Sequence, residues 1–294
     1  MLKDFSDWKE YEGAAEGSGR SEKIWLLNPK TNETGLFKLK KDAETTDHLS
    51  ECMAYDIATL LKVPCARYEL GTYKGREGSM SYNVIDTEQK ILVEGLQVIT
   101  SVFPQYNDEQ FVDEKTGLRY SLELIEAALE KYGLFQEFLY IPIFDFLIGN
   151  TDRHHSNWAF IKENETYSFS PLYDNSSSLC AYLSEKQCAG YLTKDKLRWN
   201  SLTDTKSKSL IRIAGSDKSQ PTHLQVLQVI HQKYCADTED FVQNILTTMT
   251  EGAICGIVEK YDNRILQENK KQVIKKFLST KVSLLKSVYE GVCR

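Results

Sequence analysis

Short alternating apolar runs dominate the first hundred residues, and longer helical periodicities dominate the rest. Lys23 to Asn28 and Gly35 to Lys40 flank the turn-rich stretch Pro29 to Thr34, which predicts a pair of antiparallel strands. Thr45-Thr46-Asp47 then caps a helix whose apolar positions Leu49, Cys52, Met53, Ile57, Leu60 and Leu61 recur at helical spacing and stop before Pro64. Further strands are expected at Tyr68 to Tyr73 and Gly78 to Val84. Helical periodicity covers Leu122 to Glu130, Leu134 to Ile148, Leu224 to Lys233, Thr238 to Met249 and Asn263 to Glu290. The polar stretch Ser201 to Thr222 interrupts these helices and reads as a long mobile loop. The lysines Lys270, Lys271, Lys275 and Lys276 of the last helix read as a solvated face. The shift in pattern near residue 98 divides the chain into 1–98 and 99–294.

Length and composition narrow the class. The chain has 294 residues, 41% hydrophobic and 27% charged, the balance of a folded globular protein with two domains or two lobes. The apolar run from Phe138 to Ile148 is broken by Pro142 and Asp145, so no membrane span is expected. The N-terminal residues carry no secretory or transit signal, which makes the cytoplasm the expected compartment. A net charge of −6 argues against nucleic-acid binding through bulk charge. Seven cysteines, scattered and never spaced Cys-x-x-Cys, are expected to be reduced, mostly buried hydrophobes and not zinc ligands.

Chemistry concentrates after the Leu134 to Ile148 helix, in Gly149-Asn150-Thr151-Asp152-Arg153-His154-His155-Ser156-Asn157. Two apolar runs follow, Trp158 to Ile161 and Tyr167 to Tyr173, then Asp174-Asn175. Paired as a hairpin centred near 165.5, they set Asn157 opposite Asp174 at its open end. An amide oxygen and a carboxylate beside a second carboxylate, Asp152, supply hard oxygen ligands and a base for magnesium-dependent phosphoryl transfer. Asp-x-x-x-x-Asn followed by a hairpin and Asp is also the order of the protein-kinase catalytic apparatus. A plain Asx-rich turn is the bland alternative; a metal site on His154 and His155 is weaker, because adjacent side chains diverge and a third ligand is lacking.

An ATP site also needs a phosphate cradle and a cation. Tyr11 to Ser21 holds Gly13, Gly17 and Gly19 with Ser18 and small neighbours, but lacks the Gly-Lys-Ser/Thr ending of a Walker loop. Lys38 and Lys40 share one strand face, so alternation alone does not choose between them. Glu51, early in the capped helix, can pair with either across a cleft.

These segments together resemble the HipA-like serine/threonine kinases. The likeness rests on Gly149 to Trp158, Ser170-Pro171-Leu172-Tyr173-Asp174, Leu49-Ser50-Glu51 and Leu36-Phe37-Lys38. It implies an α+β, bilobal, protein-kinase-like fold: a small N-lobe (1–98) with an antiparallel sheet and one helix, and a larger, mainly helical C-lobe (99–294). It further implies Asp152 as catalytic base, Asn157 and Asp174 as magnesium ligands, Lys38 as the phosphate-contacting lysine and Glu51 as its partner. The adenine hinge then falls at Ser81, Tyr82, Asn83 and Val84. ATP and Mg2+ are the implied cofactors, and a protein serine or threonine is the implied acceptor. Gly17 and Gly19 let the loop approach the phosphates, His154 supports the loop or sits near the transferred phosphate, and Arg153 is expected to pair structurally. Autophosphorylation is expected, with Ser18 and Ser21 as candidate acceptors. An antitoxin or other regulator stays open as a partner, and the additional N-terminal subdomain of longer members is expected to be absent. Because Asp-Arg-His-x-x-Asn also occurs in phosphoinositide kinases, a lipid or small-molecule kinase is the alternative, and a regulatory pseudokinase a further one.

Overall fold

The computed structural model describes residues 2–12, 22–42, 44–85, 87, 89–215 and 219–291. Six strands build one sheet: β1 (Lys3–Asp4), β2 (Lys9–Glu10), β3 (Lys23–Leu27), β4 (Thr34–Leu39), β5 (Tyr68–Tyr73) and β6 (Arg76–Tyr82), in the order β1-β5-β6-β4-β3-β2. The β3–β4 pairing is antiparallel, with Lys23 opposite Lys38. One edge departs from the expected antiparallel sheet: β1 runs parallel to β5, with Lys3 opposite Gly71. Burial alternates along β4. Phe37 and Leu39 enter a small core with Phe5, Trp8, Leu26 and Met80, while Lys38 faces the other way, toward α1 (Asp47–Leu60).

Helix α1 follows from the capped apolar periodicity, and Leu49, Met53 and Ile57 are fully buried. Its capping hydroxyl is spent elsewhere. Thr46 Oγ1 donates to the Ala181 carbonyl, so α1 begins by gripping the second lobe. The apolar face of α1 belongs to the same core as Phe138, Phe144 and Leu278. The helix thus packs on β5 and β6 of the first sheet and at the same time joins the core of the large lobe.

The chain passes from the first sheet to the second lobe at 83–89. β7 (Lys90–Glu94) pairs with the later hairpin, and residue 98, where the composition shifts, lies inside α2 (Gly95–Val102). After the β8 (Tyr106–Asn107) and β9 (Val112–Asp113) ribbon come α3 (Leu122–Leu129), α4 (Phe135–Phe138) and α5 (Tyr140–Ile148). β10 (Ala159–Glu163) and β11 (Thr166–Phe169) form the hairpin, and β10 is the middle strand of β11-β10-β7. Its register pairs Phe160 with Phe169, which centres the turn one residue earlier in the chain than expected. The remaining helices are α6 (Glu185–Tyr191), α7 (Lys196–Asn200), α8 (His223–Thr248), α9 (Glu251–Val258) and α10 (Glu268–Glu290). α8 unites the two helices expected at 224–233 and 238–249, and the predicted break survives as a kink at Tyr234, φ −135°.

Two expectations are corrected here. The described part of 201–222 is not a free loop: it opens with a π-helical turn, Ser201–Thr205, and is bridged at Lys208–Thr222 and Ser121–Arg212. Ser207, Ser209 and Ile211 are buried; Ser209 Oγ satisfies a backbone group, accepting from Ile211 N at 3.1 Å, and Ser207 Oγ meets two side chains. The lysine run is not one solvated face either. Lys270 and Lys271 are buried, Lys270 Nζ donating to the carbonyls of Cys180, Ala181 and Leu183, and Lys271 pairing with Glu259 at 3.0 Å. Among the described cysteines all are free thiols, with Cys52 and Cys188 buried and Cys255 exposed. No described helix is long and apolar enough to cross a membrane.

Candidate active site

The site begins at the end of α5. Gly149 closes the helix in the left-handed region (φ 70°), and a Cβ there would stand 2.6 Å from the Phe277 ring. Glycine alone fits both demands. The chain then turns through 150–157 around a buried guanidinium. Arg153 pairs with Asp145, donates from Nη1 to the carbonyls of Asn157 (2.6 Å) and Tyr173 (2.8 Å), and from Nη2 to Asn175 Oδ1 (2.6 Å). A charge so deep needs every donor used. Those acceptors come from both ends of the hairpin, so Arg153 ties the catalytic loop to the segment after β11.

Asn157 Nδ2 donates to the Asp152 carbonyl at 2.8 Å. This fixes the amide and leaves Oδ1 as a possible ligand atom. Asp152 itself is exposed at the mouth of the cleft, its carboxyl raised by desolvation against the pull of His154. His154 lines the same cleft, its Nδ1 accepting from Ser156 N. His155 turns the other way, into a cage of Tyr106, Phe111 and Tyr120, where the Tyr106 hydroxyl lies 3.2 Å from Nδ1. Burial pushes it down to about 4.

Asp174 adopts a left-handed conformation, φ 54°, a conformation that Asp tolerates better than most residues. Its N–H donates to the Tyr68 hydroxyl, and Oδ1 accepts from Lys38 Nζ at 2.9 Å and from Ser176 Oγ at 3.1 Å. Lys38 Nζ also donates to Glu51 Oε1 at 2.9 Å, and Glu51 Oε2 accepts from Asn175 N at 2.8 Å. Burial disfavours every one of these charges, yet the carboxylates hold Lys38 well above its ordinary value. Lys38 in turn outweighs burial at Asp174, whose carboxyl falls to about 2. Burial pushes the Glu51 carboxyl up against the same lysine. Lys40 lies apart, 3.7 Å from Glu77.

Two connected spaces flank this cluster. A cleft of about 380 Å3 is lined by Lys38, Glu51, Asp152, His154, Asn157 and Asp174. A second space of about 200 Å3 lies between Trp25, Leu36 and Tyr68 on one side and Leu92 and Tyr173 on the other, with Ser81, Tyr82, Asn83 and Val84 all on its wall. Two buried polar atoms along the two spaces, Trp25 Nε1 and Ser79 Oγ, have no hydrogen-bond partner among the described residues. Such orphans fit a polar ligand with a flat apolar part, as a nucleotide has. Among the described residues no group of three or more His, Cys, Asp or Glu could cage a metal. A magnesium ion held by Asn157 and Asp174 would draw its remaining ligands from phosphate and water, the usual pattern for this ion.

Lys38, Glu51, Asp152, His154, Asn157 and Asp174 therefore come together, with Ser81 to Val84 on the adjoining space. Gly13, Gly17, Ser18, Gly19 and Ser21 lie outside the described residues. Trp25, Tyr68, Asn175, Ser79 and His48 belong to the surroundings of the site and carry no motif.

Residues 15–254 match the family described as the HipA-like C-terminal domain. No curated protein matches the chain. Among solved structures, the Helicobacter pylori proinflammatory kinase CtkA is similar with a TM-score of 0.83 at 19% identity, over 100% of this chain and 98% of that one. A chain of the Shewanella oneidensis MR-1 complex of HipA, HipB and operator DNA is similar with a TM-score of 0.58 at 14% identity, over 99% of this chain and 68% of that one. At such identities these structures establish the bilobal α+β fold.

Proposed function

The chain belongs to the family of HipA-like C-terminal domains, and from that premise we propose that it is an ATP- and magnesium-dependent phosphotransferase acting on a protein serine or threonine. The observation that carries the reading is Lys38 held between Glu51 and Asp174, 2.9 Å from each, at a cleft that Asp152 and Asn157 also line. A binding module has no need of an exposed carboxylate at Asp152.

When bound, ATP with magnesium supplies the transferable phosphoryl group and an electrophilic centre for it. Lys38 contributes a cation whose direction is set by Glu51. Asn157 Oδ1 and Asp174 offer the oxygen ligands. Asp152 orients the incoming hydroxyl and accepts its proton, and its raised carboxyl makes it a better base than an ordinary aspartate. Trp25, Leu36 and Tyr173 line the space that a bound base would fill and would shield it from water. Ser18 and Ser21 are candidate autophosphorylation acceptors, and peptide mapping that finds phosphate on neither removes them.

The deciding experiment is transfer from labelled ATP with magnesium to the protein itself, to protein extract, and to lipid and metabolite acceptors. Asp152→Ala is expected to lower transfer by about 10²- to 10⁴-fold, and Asp174→Ala to abolish the transfer that magnesium supports. Label on lipid or metabolite alone overturns the protein acceptor; nucleotide binding without transfer to any acceptor overturns the enzyme.

A further inference from the structure

Lys281 lies inside α10 and is fully buried. A core position between Phe146 and Phe277, whose ring centres lie 4.5 and 5.2 Å from Nζ, would ordinarily take leucine or methionine. The ammonium instead donates to Ser207 Oγ at 3.0 Å. Ser207 Oγ lies 2.9 Å from His223 Nδ1, and His223 Nε2 lies 2.8 Å from the Asn150 carbonyl oxygen. Ser207, His223 and Asn150 are all buried.

Only one arrangement of protons satisfies the chain. A carbonyl can only accept, so the one ring hydrogen of a neutral His223 sits on Nε2 and leaves Nδ1 as an acceptor. Ser207 therefore accepts from Lys281 and gives its own proton to His223 Nδ1, while Nε2 keeps its hydrogen and donates to Asn150. The Asn150 carbonyl thus sets the tautomer of His223, and Lys281 completes the chain by donating to the oxygen of Ser207. Asn150 passes the constraint on: its Oδ1 accepts from Asp152 N at 3.2 Å, and its Nδ2 donates to Asp145 Oδ1 at 3.1 Å.

We infer that Lys281, Ser207 and His223 are positioning residues, a one-way hydrogen-bond relay from α10 that fixes the Asn150 carbonyl and through it the backbone of Asp152. The inference rests on the phosphotransferase reading for its effect on rate, but not for its effect on the loop. None of the three touches the cleft that holds Asp152; they act from behind it.

The test compares His223→Phe, His223→Gln, Ser207→Ala and Lys281→Met in the full chain, by steady-state transfer and by amide hydrogen exchange over residues 149–157. Glutamine keeps an N–H for the Asn150 carbonyl, whereas phenylalanine keeps only the shape. Expected is a tenfold or greater fall in kcat for His223→Phe and Ser207→Ala, with KM for ATP within twofold, faster exchange at Asp152, and recovery of most of both in His223→Gln. Wild-type kcat in folded His223→Phe or Ser207→Ala protein, or a fall that only tracks the folded fraction, overturns the relay. Should His223→Phe not fold, Ser207→Ala and Lys281→Met decide by the same criteria. If the wild type transfers no phosphate, the phosphotransferase reading falls, and exchange alone decides: acceleration in Ser207→Ala without acceleration in His223→Gln upholds the relay, and any other pattern ends it.

Discussion

Lys38 and Glu51 are unequal partners. Glu51 is 1% exposed and Lys38 is 19% exposed, and only Lys38 has a second carboxylate, Asp174, beside it. Removing the lysine leaves a buried carboxylate with little besides Asn175 N–H, whereas neutralising the glutamate leaves the lysine paired. Urea unfolding is therefore expected to show Lys38→Met losing about 3 kcal/mol and Glu51→Gln about 1 kcal/mol. Equal losses would contradict the asymmetry. The histidines set the acid limit. Burial depresses His155 to about 4 and His223 to about 3, below the ordinary 6.5. Their neutral forms belong to the folded state, so this stability is present above pH 6.5 and is lost as pH falls toward 4 and 3. Each contributes a slope of up to about 1.4 kcal/mol per pH unit in that window. The fall in Tm between pH 7.5 and pH 5.0 is expected to shrink in His155→Phe. At this scale, Asp152, Asn157 and Asp174 were legible from spacing because they are close in sequence. The cage around His155 was not, because Tyr106, Phe111 and Tyr120 arrive from another element.

Among the elements, α10 shows how far a lysine-rich helix can differ from a solvated one. Lys270 stands over three carbonyls where the chain turns before α6, and burial lowers its ammonium. Lys270→Met strips donors from buried carbonyls and is expected to lower stability by about 3 kcal/mol. Lys275→Ala, on the more open side, is expected to leave the midpoint nearly unchanged; a similar loss in both would return the run to an ordinary charged face. Composition could not tell these lysines apart. Spacing alone puts Lys270 and Lys271 beside Val273 and Ile274 on one stripe, and only the arrival of 180–183 against that stripe decides what it buries. The β10–β11 hairpin was legible as a hairpin, but its register was not. The turn is centred one residue earlier, and Asp174 reaches the cleft through its left-handed backbone and not by facing Asn157 across the ladder. The strand β7 was missed for a related reason: it pairs with β10, nearly seventy residues on, and no local signal announces that partner.

For the whole molecule, two spaces joined at Lys38 and Asp174 make one elongated site between the lobes. A ligand that spans both binds only the folded chain, so at a hundredfold excess over Kd it stabilises by about 2.7 kcal/mol. ATP with magnesium is expected to raise Tm by several degrees, and Asp174→Ala to remove the part of that rise that requires magnesium. No shift in the wild type would contradict the nucleotide reading. The α+β division and the order of lobes were visible in the change from short alternation to helical period. The course of the core was not. The sequence places α1 among the strands, yet its apolar face is continuous with Phe138, Phe144 and Leu278, and its first turn is fastened to the Ala181 carbonyl.

That continuity determines which half of the Lys38–Glu51 contact can be switched. A glutamate on a loosely seated helix can be swung away to turn a site off and back to turn it on. Here Glu51 is anchored in the large core and also holds Asn175, so displacing it would disturb the packing of both lobes. Lys38 rides on β4, in a sheet with a separate small core on its far face. Because α1 also packs on β5 and β6, a regulator that parts Lys38 from Glu51 has to shift β4 within its own sheet, at the expense of its pairing with β3 and β6.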